Sequence, residues 1–133
     1  LYQAFLQVSN RRILIVDDYD DMREILQVML EMAGYEVVAV HDGVPALRLL
    51  RQEAFDLLIT DGRMVELNGV DLIRLVRSDE RLHALPIMFS SALTEECDQA
   101  RQQGADLVMH RPLPMFSELL PLIEALVNRR PNV

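Results

Sequence analysis

Five short apolar runs alternate with five segments of helical period along a chain of 133 residues. The runs are Arg12–Val16 (RILIV), Glu36–Val40 (EVVAV), Asp56–Thr60 (DLLIT), Pro86–Ser90 (PIMFS) and Leu107–His110 (LVMH). Each has the length and apolar character of a buried strand. Between the first two, apolar residues recur at Met22, Ile25, Leu26, Met29, Leu30 and Ala33, one stripe of a helix over Asp20–Ala33 that Gly34 stops. Further helices are predicted over Val44–Glu53, Val70–Ser78 and Glu95–Gln103, the last capped by Thr94 and stopped by Gly104. Ser117 is expected to cap a final helix carrying Leu119, Leu122, Ile123, Leu126 and Val127, with Pro121 in its first turns. Strand and helix alternating with short connections imply an α/β domain: a parallel sheet covered on both faces, its right-handed crossovers restricting the topology.

In such sheets ligands bind beyond the carboxyl ends of the strands. Here those ends are acidic. The first strand runs into Asp17 and Asp18, and the third runs into Asp61. Asp20 and Asp21 have an ordinary explanation, since acids at a helix start complement its dipole. Asp17, Asp18 and Asp61 do not. Brought together, three carboxylates raise one another's pKa values, and a hard divalent cation such as Mg²⁺ relieves the conflict. Ser91, just beyond the fourth strand, offers a hydroxyl. Arg111, just beyond the fifth, offers a guanidinium. Metal, hydroxyl and cation are what phosphoryl transfer needs, and a carboxylate can serve as its nucleophile.

Composition narrows the choice. The formal net charge of -8 argues against a nucleic-acid-binding face and favours a cationic partner or a bound metal. No uninterrupted apolar stretch is long enough to span a membrane, and no signal peptide is recognised. The single Cys97 cannot form an internal disulfide, which fits a reducing, cytoplasmic setting. All 13 basic residues are arginine. The chain begins at Leu1, so it is expected to be processed or cut from a longer protein, with residues 1–10 a linker or the tail of an upstream segment and residues 11–130 the domain.

These motifs, in order, make the chain resemble a response regulator receiver domain over about Arg12 to Asn128. The paired acids are Asp17-Asp18. DGRMVELNG (Asp61–Gly69) has the spacing of the phosphoacceptor motif, PIMFSSA places Ser91 at the family's serine or threonine, and GADLVMHRP places Arg111 where the family has lysine. The resemblance implies a flavodoxin-like, doubly wound five-stranded parallel sheet of order 2-1-3-4-5 with five helices. It implies that Asp61 accepts a phosphoryl group from a phosphohistidine on a histidine kinase or phosphotransfer protein. Asp18, Asp61 and the backbone carbonyl of Arg63 would bind Mg²⁺ directly, and Asp17 through water. Ser91 would swing to the phosphoryl oxygen and switch the face formed by the fourth and fifth strands and the helices that follow them. The same face allows a homodimer. The domain is then a signalling switch and not an enzyme.

The sequence departs from the family pattern in three places. Arg111 replaces lysine, keeping the charge but with a planar fork, and its alternative role is a resting salt bridge to Asp61. Val108 stands where strand five usually carries an aromatic, so a ring-rotamer switch cannot operate there. Val65 stands where proline often follows the methionine. The first two motivate a second hypothesis, a phosphorylation-independent interaction module with the same fold. A phosphatase of the haloacid-dehalogenase type would want an acid where Arg63 stands, and a nucleotide binder of this architecture would not line its phosphate loop with acids. His41, His83 and His110 lack metal-ligand spacing, Cys97 reads as a packed helix residue, and the charges of the fourth helix read as solvated, on a face that could also meet a partner.

Overall fold

The alternation of period is realised as five β-α units. The computed structural model describes residues 11–129. In chain order the elements are β1 (Arg12–Val16), α1 (Asp20–Met32), β2 (Glu36–Val40), α2 (Gly43–Gln52), β3 (Leu57–Asp61), α3 (Gly69–Ser78), β4 (Ile87–Ser91), α4 (Thr94–Gln103), β5 (Leu107–His110) and α5 (Phe116–Arg129). All strand pairs are parallel, in the order β2-β1-β3-β4-β5. The expected 2-1-3-4-5 order and five helices are therefore observed. The linker expected at residues 1–10 and the domain end at residue 130 lie outside the described residues.

The continuous apolar runs follow from burial on both faces. Successive side chains of β1 point to opposite sides. Leu14 and Val16 join Leu58, Ile87 and Phe89 against α2, α3 and α4, which contribute Ala46, Leu50, Leu72, Ile73, Val76, Cys97 and Ala100. Ile13 and Ile15 join Leu57, Ile59 and Met88 against α1 and α5, which contribute Leu26, Leu30, Leu119, Ile123, Leu126 and Val127. Cys97 is buried as a packing residue, as expected.

Several boundaries move from the sequence reading. β3 and β4 each end one residue later, because Asp61 pairs with Ser90 and Ser91 with His110 in the ladder. The third strand thus contains its aspartate. Thr94 is the first residue of α4 and not its cap; the N-cap is Leu93, which makes no side-chain cap bond. Ser117 is likewise inside α5, which begins at Phe116, so Pro121 falls in its second turn. Gly34 and Gly104 close α1 and α4 as expected, with φ of 103° and 102°.

Asp42, between β2 and α2, does more than connect them. It caps α2 by accepting from the Val44 N–H, and its other oxygen accepts from the N–H groups of Glu66 and Leu67 in the loop after β3. Burial alone would raise its pKa, but the N–H donors of Glu66, Val44, Leu67 and Gly43 outweigh it and hold the carboxyl below its usual value. Asp42→Ala is expected to cost about 2 kcal/mol in urea unfolding at pH 7, the combined effect of a lost cap and lost charge-assisted bonds. Because the folded pKa is depressed, that contribution is present above the unfolded value and fades as pH falls through the folded one. The gap between parent and variant should narrow in acid; a gap independent of pH would contradict the assignment.

Candidate active site

β1 and β3 are neighbours, and they deliver their terminal acids to one place. Asp17, Asp18 and Asp61 each offer a carboxylate oxygen within 4.8 Å of the others, in a buried-to-exposed series from Asp17 through Asp61 to Asp18. The position is the switch point of the sheet, where the chain leaves β2 on one side of β1 and continues at β3 on the other.

The turn after β1 is held rigidly. The Asp17 N–H donates to the Val40 carbonyl at the end of β2. The Asp17 carboxylate accepts from the Tyr19 N–H at 3.0 Å, and its carbonyl accepts from the Arg23 guanidinium at 2.7 Å. Arg23 also pairs with Asp20. Asp20 and Asp21 lie in the first turn of α1, whose cap position is Tyr19, so they serve the helix start by charge and not as side-chain caps.

The loop after Asp61 is equally constrained. The Gly62 N–H donates to Asp61 Oδ1 at 2.7 Å, and the Gly69 N–H donates to the Gly62 carbonyl at 2.9 Å. A Cβ on Gly69 would sit 2.1 Å from the Asp61 carbonyl oxygen, so this approach is open only to glycine. Asn68 caps α3 by accepting from the Asp71 N–H.

Arg111 enters from the end of β5. Its Nη2 lies 2.7 Å from Asp17 Oδ2 and 3.9 Å from Asp61 Oδ1, and its Nε donates to Ser90 Oγ at 3.1 Å. The resting salt bridge considered for Asp61 is thus made chiefly with Asp17. Asp17 is 2% exposed at its side chain and Arg111 18%, so the pair is largely withdrawn from water. Asp18, Asp61, Arg63, Ser91 and Arg111 line a single open cleft together with Tyr19.

Burial raises the Asp61 pKa; Arg111 opposes the rise, Asp17 adds to it, the Gly62 N–H opposes it and Asp18 adds to it, and the result is about 6. The carboxylate is therefore more basic than an ordinary aspartate yet still mainly ionised at neutral pH.

Ser91 holds a partner that the sequence did not suggest. Its Oγ donates to Glu96 Oε1 at 2.5 Å and accepts from the Leu93 N–H at 3.1 Å. Glu96, expected among the solvated charges of the fourth helix, instead turns its carboxylate back to Ser91 at the end of β4, with Arg63 Nε 4.0 Å from its other oxygen. The available signal was its place in the first turn of the helix, five residues after Ser91. Val108 packs partly buried against the core, so no aromatic stands at that position.

The response regulator receiver domain family profile matches residues 13–123. The chain belongs to the response regulator receiver domain family. Among relatives of this receiver domain, the chemotaxis protein CheY of Pseudomonas aeruginosa is 38% identical over 104 residues, 76% of this chain and 84% of that protein. The transcriptional regulatory protein GltR of the same organism is 35% identical over 128 residues, 93% of this chain; the chain spans 52% of that longer relative. Among solved structures, the signal receiver domain of a signal transduction histidine kinase from Syntrophus aciditrophicus superposes with a TM-score of 0.85 at 27% identity, covering 92% of this chain and 94% of that one. The response regulator protein TrrA of Thermotoga maritima, solved in complex with Mg²⁺-BeF, superposes with a TM-score of 0.77 at 27% identity, covering 87% and 98%. No helix among the described residues is long and apolar enough to cross a membrane.

Proposed function

We propose that this receiver domain is a phosphorelay switch in which Asp61 is the phosphoacceptor. The observation that carries the reading is the convergence of the Asp17, Asp18 and Asp61 carboxylates within 4.8 Å. One of them is raised to a pKa of about 6. A hydroxyl and a guanidinium share the cleft.

The donor set fits Mg²⁺: three carboxylates, with hard oxygen ligands and too few charges of their own to balance them. Asp18, Asp61 and the carbonyl of Arg63 would hold it, with Asp17 reaching it through water. When bound, Mg²⁺ supplies positive charge to the oxygens of the transferring phosphoryl group. The residues do the rest. An Asp61 carboxylate oxygen attacks the phosphorus of a phosphohistidine on a kinase or phosphotransfer protein. The P–N bond breaks, its electron pair stays on the imidazole nitrogen, and an aspartyl phosphate remains. Arg111, tethered to Ser90, neutralises the buried Asp17 so that Asp61 faces less repulsion. Ser91 then donates to a phosphoryl oxygen, and the loop between β4 and α4 follows it. That movement biases the face of β4, α4, β5 and α5 toward partners, a homodimer among them. This reading places the domain in the cytoplasm, off membranes and nucleic acid, with signalling and not turnover as its role.

Intact-mass spectrometry after incubation with acetyl phosphate tests it. A single phosphoryl adduct is expected with Mg²⁺, and none without Mg²⁺ or in Asp61→Ala. An adduct that persists in Asp61→Ala would sink the assignment. The second reading, a phosphorylation-independent module, is favoured by one observation: Arg111 already neutralises Asp17 in the resting site. Partner binding unchanged in Asp61→Ala would select it.

A further inference from the structure

Glu96 lies in the first turn of α4, where an acid ordinarily complements the helix dipole from solvent. Its side chain is instead only 22% exposed. Its Oε1 accepts the Ser91 hydroxyl proton. The space it occupies is made by a missing side chain: a Cβ on Gly62 would lie 2.6 Å from Glu96 Oε1 and 3.3 Å from its carboxyl carbon. Gly62 is the residue next to Asp61, so the carboxylate of Glu96 lies against the backbone that follows the phosphoacceptor.

Ser91 has one hydroxyl proton. In the resting site it is given to Glu96, in a charge-assisted bond of the strong kind. The oxygen is also engaged, by the Leu93 N–H. The same proton is the one Ser91 would offer a phosphoryl oxygen. A carboxylate and a phosphoryl group cannot both have it, and both carry negative charge.

We infer that Glu96 is a positioning residue that holds the Ser91 hydroxyl in its resting orientation and must release it when Asp61 carries a phosphoryl group. This inference rests on the phosphoacceptor reading above and adds a second consequence. Release of Glu96 unties the first turn of α4 from Ser91 at the end of β4, giving the signal a route into α4 that does not need an aromatic at Val108. Glu96 therefore opposes the phosphorylated form and links its formation to α4.

The test is a double-mutant cycle read by fluorine NMR with beryllofluoride plus Mg²⁺ as the phosphoryl mimic. The chains are the parent, Glu96→Ala, Ser91→Ala and the double variant, with Glu96→Gln as a shape-preserving control. Glu96→Ala is expected to bind beryllofluoride roughly tenfold tighter than the parent, the fold-change equivalent to a net charge-assisted hydrogen bond. Glu96→Gln should fall between them. In the Ser91→Ala background the Glu96→Ala effect should shrink below about twofold, because the proton in dispute is gone. Equal tightening in both backgrounds would overturn the inference by showing that Glu96 acts through charge alone. Unchanged or weaker binding in Glu96→Ala and Glu96→Gln would overturn it also. Absence of an adduct from the parent and all variants would remove the phosphoacceptor reading, and the inference with it; that outcome is distinct, because the other two require an adduct to form.

Discussion

Asp61→Asn is expected to be more stable than the parent chain at pH 7.5 in EDTA, by about 2–3 kcal/mol. The reason is the pKa of about 6 that burial, Asp17 and Asp18 impose on Asp61 against the opposing effect of Arg111. The difference between that value and the ordinary 3.8, at about 1.4 kcal/mol per pH unit, is about 3 kcal/mol of strain in the ionised folded state. The side chain is only 13% exposed, so solvent screens little of it. Asparagine keeps the shape and removes the charge. The sign of the pH effect follows from proton counts. Between about pH 6 and 4 the folded parent holds a proton on Asp61 that the unfolded chain does not, so the parent gains stability as pH falls through that window. Its deficit against Asp61→Asn should then close near pH 4. Urea titrations at pH 7.5, 6 and 4.5 measure this. Mg²⁺ should also narrow the deficit at pH 7.5, because it binds the folded parent more tightly than the variant. Equal stability at pH 7.5 would show that the ionised Asp61 carries no such strain in the folded site.

The strain at Asp61 marks what the sequence could reveal. Aspartates at the ends of two apolar runs were visible as conflicts with burial, and parallel pairing of neighbouring strands was enough to bring them together. The two-faced core was equally legible, because Leu14 and Ile15 differ only in which side of the pleat they occupy. What escaped reading were contacts made by side chains reaching across the chain. Asp42 lies 24 residues before Glu66, yet it binds that residue's N–H. Glu96 stands in a polar helix whose composition says solvent, and only the gap at Gly62 lets it turn inward. Helix starts were misplaced for a related reason. Thr94 and Ser117 are good capping residues, but Leu93 and Met115 carbonyls accept the first-turn N–H groups of Cys97 and Leu119, so both helices begin earlier than a cap side chain would place them. Arg111 was identified as the cation of the site, whereas its choice of Asp17 over Asp61 depends on a fork geometry that also reaches Ser90.

Removing that fork is the second large effect. Arg111→Ala is expected to lose about 2–4 kcal/mol of stability in EDTA, since deleting one member of a largely buried ion pair leaves the other charge uncompensated. Asp17, 1% exposed, cannot recover its water without opening the turn after β1. Arg111→Lys should lose less, about 1 kcal/mol, because the charge survives while the contact to Ser90 through a second nitrogen does not. The response to Mg²⁺ distinguishes this account from a simple packing defect. Arg111 and Mg²⁺ compete for the same carboxylates, so Arg111→Ala should bind Mg²⁺ more tightly than the parent and recover much of its stability at millimolar metal. A cavity left by a packing residue would be indifferent to the ion. Calorimetric titration with Mg²⁺ and urea unfolding with and without it read both effects. Loss of stability that Mg²⁺ does not repair would mean that Arg111 supports the fold through its stem and its Ser90 bond. Full repair would mean that the guanidinium serves the resting site mainly as a built-in cation, and that phosphorylation begins by displacing it from Asp17.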